Sequence, residues 1–351
     1  MALEFYTTNN LPLPLAREIT DFLDSQNTSH LFQFPQWNFS GERFALMRES
    51  GSIRWFGTFG MYCPLGAAFP WMHAVVAYRG PVCDDGKLWH AMTLEVAEQF
   101  GRERNTYFDV VPDWVETPGI EHDLLHNAGW EALGGECTSS LRLELDKSED
   151  EIFAGFRKNS RYEIRRAERL GVSVTPAFNE AEMEEFLRLY ERLADRKGFE
   201  AQSADHLRGR IRWLTGEGSR GALLLARFEN VVYGGAVIGR AGRRCWYVWG
   251  ASDKHEAFNV GHILQWNALL WAKSHGCVEY DFGGYTPGAT SGPAWFKSGF
   301  GGKVVRFIPL HRKVIRPGSY RIFNFLSQMK KLSRCLPSAA RMARTATANR
   351  Q

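Results

Sequence analysis

Trp89–Gly101, WHAMTLEVAEQFG, and His262–Gly276, HILQWNALLWAKSHG, share one plan, and each runs into a strand-like segment, TYFDVVP in the first case and VEYDFGG in the second. Leu88, Met92, Val96 and Phe100 recur on one helical face of the first, and Ile263, Trp266 and Leu270 on one face of the second. A glycine stops each helix, and β-branched and aromatic residues take over after it. Each copy is preceded by β-rich sequence: IRWFGTFGMYC through VVAYRGPV before the first, ALLLARFENVVYGGAVIGR with RCWYVWGAS before the second. Two diverged copies of a β-β-(β)-α-β unit predict an α/β fold of mixed α+β character, in two domains, each a mixed sheet flanked by helices.

Composition agrees with two cores. The chain has 351 residues, 44% hydrophobic, 13% aromatic and 23% charged, which excludes a disordered chain. No apolar run approaches the roughly 20 residues that span a bilayer. The start, MALEFYTTNNLPLP, has neither the basic nor the apolar region of a secretory signal. A cytoplasmic location is expected. The six cysteines show no paired or metal-ligand spacing, so buried thiols are expected and no disulfide framework or zinc site. Charge is uneven. From Phe282 onward there is no Asp or Glu against thirteen Lys and Arg, so with a total of +4 the first 281 residues stand at −9. A polyanion, an anionic membrane surface, or simply a solvated basic tail accounts for such an end.

Between the copies, Ser148 followed by acids reads as an N-cap, and Ile152, Phe156, Ile164 and Ala167 predict a helix ending at Gly171. A second helix, about 180–196, carries Met183, Phe186, Leu187, Tyr190 and Leu193 inward. Arg157, Lys158, Arg161, Arg165, Arg166 and Arg169 crowd the first. They form a solvated face or a phosphate-binding one, since guanidinium forks match phosphate oxygens. No metal cluster, P-loop, G-x-S-x-G elbow or G-x-G-x-x-G follows a strand. What remains is a strand-end acid, Asp281, the Gly283–Gly284 turn, Lys297 within AWFKSGFGG, and Gly261, read as opening a helix directly after a strand. Such a junction is either an anion seat or an ordinary turn.

The segments YRGPV, FRKNSRYEIRRAERLGVSV, LYERLADRKGF, YVWGAS, LQWNALLWAKSHGCVEYDFGG and FKSGFGG, in this order, resemble the Fem family of aminoacyltransferases over roughly residues 78–306. Fem enzymes add amino acids from aminoacyl-tRNA to peptidoglycan precursors. The resemblance implies two domains similar to GCN5-related N-acetyltransferases (GNAT), the chain's end returning to the first: 1–147 plus 307–351, and 148–306. It lacks the sustained heptads of members with a coiled-coil arm; 201–220 is too short for one.

By the same resemblance Lys297, with Phe296 beside it, stabilises the oxyanion formed when an amine attacks the donor ester. On residue chemistry alone, Lys297 reads as a surface lysine next to a glycine-rich hairpin, and the resemblance is what makes it a catalytic candidate. Arg196 matches an arginine that holds acceptor phosphate, and Lys158 and Arg161 match basic positions of the helix before it. His262 stands where a tyrosine is found, at a helix start with Gly261. Asp109 and Asp281 are candidates for removing the proton, with the second aminoacyl group or the tRNA itself as alternatives, and Val111 replaces an acid seen at the end of that strand. After Trp37 a lysine of the nucleotide-precursor enzymes is missing, with Arg43 nearby. The expected protein is a monomeric, cofactor-free, amide-forming transferase using charged tRNA and a phosphate-bearing or small amine acceptor, in peptidoglycan or another envelope or natural-product amine. The alternative is an acyl-CoA-dependent N-acyltransferase, although HEAFNVGHI lacks the usual glycine-rich run for the CoA pyrophosphate. A different class is a non-enzymatic scaffold using the basic end. Residues 319–335, with Ile322, Phe325, Met329 and Leu332 on one side, lie on the inner face of the membrane or dock on the first domain; docking is the preferred expectation.

Overall fold

The computed structural model describes the chain apart from residues 1, 38–41, 67, 104, 116–124, 134–137, 217, 289–291 and 336–351. Its described strands form two seven-stranded sheets. The first contains β1 (Leu3–Thr7), β2 (Arg43–Glu49), β3 (Ser52–Tyr62), β4 (Ala74–Tyr78), β5 (Tyr107–Val111), β6 (Glu131–Leu133) and a late strand, β14 (Leu310–Val314), in the order β1-β2-β3-β4-β5-β14-β6. The second contains β7 (Ser139–Glu144), β8 (Ser173–Pro176), β9 (Gly221–Phe228), β10 (Val231–Ala241), β11 (Arg244–Ser252), β12 (Glu279–Gly284) and β13 (Lys303–Arg306), ordered β13-β7-β12-β11-β10-β9-β8. Strands β4 and β5 pair in parallel, as do β11 and β12, and the other described pairs are antiparallel.

The repeat read in the sequence is this pair of parallel units. Helix α2 (Gly86–Arg102) connects β4 to β5, as a crossover connection must. The penultimate place in each sheet is filled from outside its unit. In the first it is β14, paired with β5 and β6; in the second it is β7, paired with β12 and β13. Ser139–Glu144 therefore belong to the second sheet, because the backbone groups of β7 find their partners there.

The linking segment is two helices and not one. Helix α1 (Leu13–Ser25) packs on β3 in the first half. After β7 come α3 (Glu149–Ala154), with Ser148 and Glu151 forming a capping box, and α4 (Lys158–Arg169), separated by Gly155-Phe156-Arg157. The interruption lets Phe156 turn into the core beside Phe300. Then α5 (Glu180–Lys197), α6 (Ala204–Thr215) and α7 (Val260–Ser274) follow. Helix α7 begins after a loop, 253–259, and not directly at the end of β11. It buries Ile263 but also Leu264, Ala268 and Leu269, because α4 covers it opposite the sheet.

Among the described residues, three apolar clusters hold the molecule. One lies under α2 and one under α7. The third joins Leu15, Ile19, Phe44 and Phe56 of the first half to Phe186, Leu214, Leu225 and Val237 of the second, so the two domains share a core. Charge ties the same junction. Asp113 contacts Arg79 at 3.4 Å, Arg142 at 3.6 Å and Arg244 at 2.9 Å, while Arg142 reaches Asp281 at 2.8 Å and Glu279 at 3.3 Å. The C-terminal helix, α9 (Pro317–Cys335), is anchored by Tyr320 and Phe323 against Tyr107. Ile322, Phe325 and Met329, expected to dock, are exposed, and the side chain of Leu332 lies outside the described set, as do residues 336–351. Among the described residues no helix is long and apolar enough to cross a membrane.

Candidate functional site

Lys297 lies on α8 (Gly292–Ser298), a short helix after β12. Its Nζ donates to Gly284 O at 2.8 Å and Gly283 O at 3.3 Å. These carbonyls are turned to it by a left-handed residue, Gly283 at φ 72°, a conformation a side chain resists. Asp281 sets that turn: it accepts from Gly283 N–H at 2.8 Å, from Arg142 Nε at 2.8 Å and from Ser140 Oγ. Its carboxylate is buried and fully engaged. It thus positions the Gly283–Gly284 turn while held in an ion pair with Arg142.

Phe296 packs the other side of α8 into the core. Its ring meets His262 with centroids 5.1 Å apart and Phe300 at 5.3 Å. Gly261 permits that approach, since a Cβ there would lie 3.2 Å from the Phe296 ring. The Gly261 N–H is already used by the N-cap, Asn259, at 3.1 Å. His262 is buried, its Nδ1 meets no hydrogen-bond partner among the described residues, and burial pulls its pKa down to about 4. It is neutral at pH 7. Because an unfolded histidine titrates near ~6.5, acid favours the unfolded chain. The stability tied to His262 is complete above that pH and is lost as pH falls toward the folded value, by about 3 kcal/mol. Urea unfolding of His262→Leu should accordingly fall less between pH 7 and pH 4.5 than that of the parent; equal losses would refute the assignment.

The other expected site residues go elsewhere. Asp109 is buried on β5 in a two-pronged contact with Arg312, 2.6 Å on each arm; Arg312 also reaches Tyr320 at 3.4 Å, so the pair anchors α9. Arg196 donates to Asp253 at 3.2 Å and Ser252 O at 2.7 Å. Arg161 caps the end of α3 through Ala154 O and Phe156 O. With Lys158, Tyr162, Arg165 and Arg169 it lines an outer depression of about 660 Å³. Arg157 binds this face to α8: its N–H donates to Gly299 O at 2.9 Å and its guanidinium to Ser298 Oγ at 2.8 Å. Arg43 leaves the Trp37 region for Glu103, at 2.5 Å.

Gly283 and Gly284 also form part of the wall of a cavity of about 440 Å³, whose lining comes from both domains. An aromatic ladder runs along it: Tyr78 to Phe32 at 5.5 Å, Phe32 to Trp37 at 5.1 Å, Trp37 to Trp249 at 5.6 Å. Glu42 and Arg210 also line it, and neither was named from sequence. Arg210 arrives from α6, its guanidinium 4.6 Å from the Trp37 ring centre. The alternation of a strand edge was the available signal for Glu42, since it sends Glu42 and Arg43 to opposite sides. None was available for Arg210. Among the described residues no group of three or more His, Cys, Asp or Glu could hold a metal.

Known proteins agree with this architecture. A family model described as an acetyltransferase (GNAT) domain matches residues 154–297. Lipid II:glycine glycyltransferase of Staphylococcus haemolyticus is 38% identical over 63 residues, 17% of this chain and 15% of that protein. Its namesake in Staphylococcus saprophyticus is 35% identical over 57 residues, 16% of this chain and 14% of the relative. The matched segment is thus a small part of those relatives. The crystal structure of FemX superposes with TM-score 0.78 at 16% identity, covering 92% of this chain and 99% of that one. A tandem GNAT protein from the clavulanic acid biosynthesis pathway gives TM-score 0.54 at 10% identity, covering 90% and 99%. The chain thus has the fold of FemX, two domains of acetyltransferase type, with a GNAT domain model matching the second and a short segment similar to the lipid II:glycine glycyltransferases.

Proposed function

We propose that this protein is an amide-forming acyltransferase that moves an aminoacyl group from charged tRNA to an amine acceptor of the cell envelope or a related metabolite. The observation that carries this reading is the Lys297 ammonium, fixed by the Gly283 and Gly284 carbonyls where those residues wall the interdomain cavity. In aminolysis the amine nitrogen attacks the ester carbonyl carbon and the carbonyl oxygen becomes an oxyanion. The bond to the ribose oxygen then breaks; the amine gives up a proton and the leaving hydroxyl gains one. A fixed cation at the carbonyl stabilises this intermediate without covalent chemistry. The lipid II glycine glycyltransferases, named for such a transfer, share a segment with this chain. The Lys158–Arg169 depression, cationic with an exposed Tyr162, suits a polyanionic donor.

Acyl-CoA is the poorer donor. At the start of α7, where a pyrophosphate would seek free N–H groups, Gly261 N–H is taken by Asn259 and Phe296 closes over it. The deciding experiment supplies purified protein with a pool of labelled aminoacyl-tRNA or with labelled acetyl-CoA, and with amines including lipid-linked and soluble peptidoglycan precursors. Transfer from tRNA, strongly slowed by Lys297→Met, is expected. Transfer from acetyl-CoA alone would sink the tRNA reading.

The same reading puts the protein, as a monomer, at the cytoplasmic face of the membrane. Ile322, Phe325 and Met329 are 47%, 62% and 52% exposed on α9, with Arg321 beside them, an apolar strip bordered by cationic charge. Co-sedimentation with phosphatidylglycerol vesicles is expected to exceed that with neutral vesicles, and Phe325→Glu should weaken it about tenfold. Equal recovery with and without anionic lipid would remove the membrane from this account.

A further inference from the structure

The interdomain cavity contains charges of both signs that have been kept apart. Of its charged lining groups, Arg79 is committed to Asp113. Glu42 and Arg210 are not so committed. No ion pair joins either to any described residue, and they do not pair with each other. Each is held back by its own support. Arg210 donates its Nε to Trp37 O at 3.1 Å and lies on the Trp37 ring. The Glu42 carboxylate lies over the bare Cα of Gly60, 3.4 Å from where a Cβ would be.

Both are poorly hydrated. Burial pushes the Glu42 carboxyl up, and burial pulls Arg210 down to about 10, each opposed by the other's charge across the cavity. Desolvated charges without partners are unfavourable, and a carboxylate and a guanidinium facing one space ordinarily collapse together. Here Trp37, Gly60 and the aromatic ladder hold them open. A ligand bearing one charge would satisfy one of them and leave the other; a ligand bearing both would satisfy the pair.

Resting on the acyl-transfer reading, we propose that the cavity receives a zwitterionic group, its ammonium toward Glu42 and its carboxylate or phosphate toward Arg210. The acceptor is then an amine that carries its own anionic group nearby, rather than a simple alkylamine. The aromatic ladder supplies the apolar wall for the carbon skeleton between the two charges. Glu42 orients the amine toward the wall that Lys297 supports.

Trp37, Trp246 and Trp249 line the cavity, so their fluorescence reports occupancy without any turnover. The test titrates the full chain with ω-amino carboxylates from glycine to 6-aminohexanoate, with 2-aminoethyl phosphate, and with ethylamine, acetate and inorganic phosphate as singly functional controls. At least one zwitterion is expected to bind about tenfold or more tighter than any control, and the carboxylate and phosphate arms identify the anion. Glu42→Gln should abolish that advantage while leaving acetate binding intact; Arg210→Gln should abolish it while leaving ethylamine binding intact. Melting curves establish that both variants fold, and Arg210→Lys, which keeps the charge, should retain part of the preference. Zwitterions that bind no better than the controls, or not at all, overturn the proposal, as does a preference that survives both neutral variants. Lys297→Met separates this from the transfer reading: it should keep zwitterion binding. Binding without transfer from any donor would end the transfer reading alone, and transfer without zwitterion preference would end the present one alone.

Discussion

Replacing Asp113 with alanine should destabilise the protein by about 3–5 kcal/mol, the expected effect of removing one partner from a buried charge cluster. Asp113 comes from the first domain and faces Arg142 and Arg244 of the second as well as its neighbour Arg79. Its side chain is 2% exposed and that of Arg142 5%. Water therefore cannot take over the solvation that the carboxylate gives. Stacking of Arg79 and Arg142 on Phe307, at 4.2 and 5.0 Å, holds the guanidiniums in place and leaves them no route outward. Because the cluster bridges the domains, the loss should appear as a lower melting midpoint together with earlier proteolysis between them. Asp113→Asn keeps the shape and should lose nearly as much. A midpoint within a degree or two of the parent for both variants would mean that the cluster adds nothing to the junction.

Lys297→Met should lower the rate of transfer by a factor of roughly 10²–10³, equivalent to about 2.7–4 kcal/mol of transition-state stabilisation, with folding preserved. The split between rate and stability follows from position. Lys297 sits half-buried on a short helix, and the two carbonyl oxygens to which its Nζ donates are ones that water can satisfy in its absence. Lys297→Arg should rescue little, since a planar fork cannot replace a compact ammonium between the carbonyls of adjacent glycines. The readings to compare are kcat and the melting midpoint: a variant that melts early and turns over normally would assign Lys297 to the fold alone.

The sequence carried the architecture because the repeated helix, glycine stop and strand of residues 89–112 and 262–284 are local patterns, and burial imposes their periodicity. It carried the surroundings of Lys297 for the same reason, since Asp281, Gly283, Gly284 and Lys297 are close along the chain. Partnerships between distant segments were not legible. Asp109 and Asp281 looked like free acids, yet Arg312 lies 203 residues from the one and Arg142 lies 139 residues from the other. Glu42 and Arg210 line one cavity only because α6 is packed against Trp37, and no sequence neighbour of Arg210 signals it. The break between α3 and α4 was hidden too, for Gly155 alone does not forbid a helix, and the burial of Phe156 decides it.

The strand β14 has a consequence for how this protein is made. The first sheet cannot close while its place between β5 and β6 is empty, and the residues that fill it are 310–314. Its partner β5 ends at Val111, so the ribosome must synthesise the whole second domain in between. The second domain needs nothing beyond Arg306 for its sheet and can complete first, although folding during synthesis ordinarily proceeds from the N-terminus. A nascent chain arrested before β14 emerges should show protease resistance in 139–306 while residues 43–111 are still cut. Emergence of β14 would then finish both the sheet and the cleft beside it, which keeps the nascent protein inactive until residues 310–314 have been made.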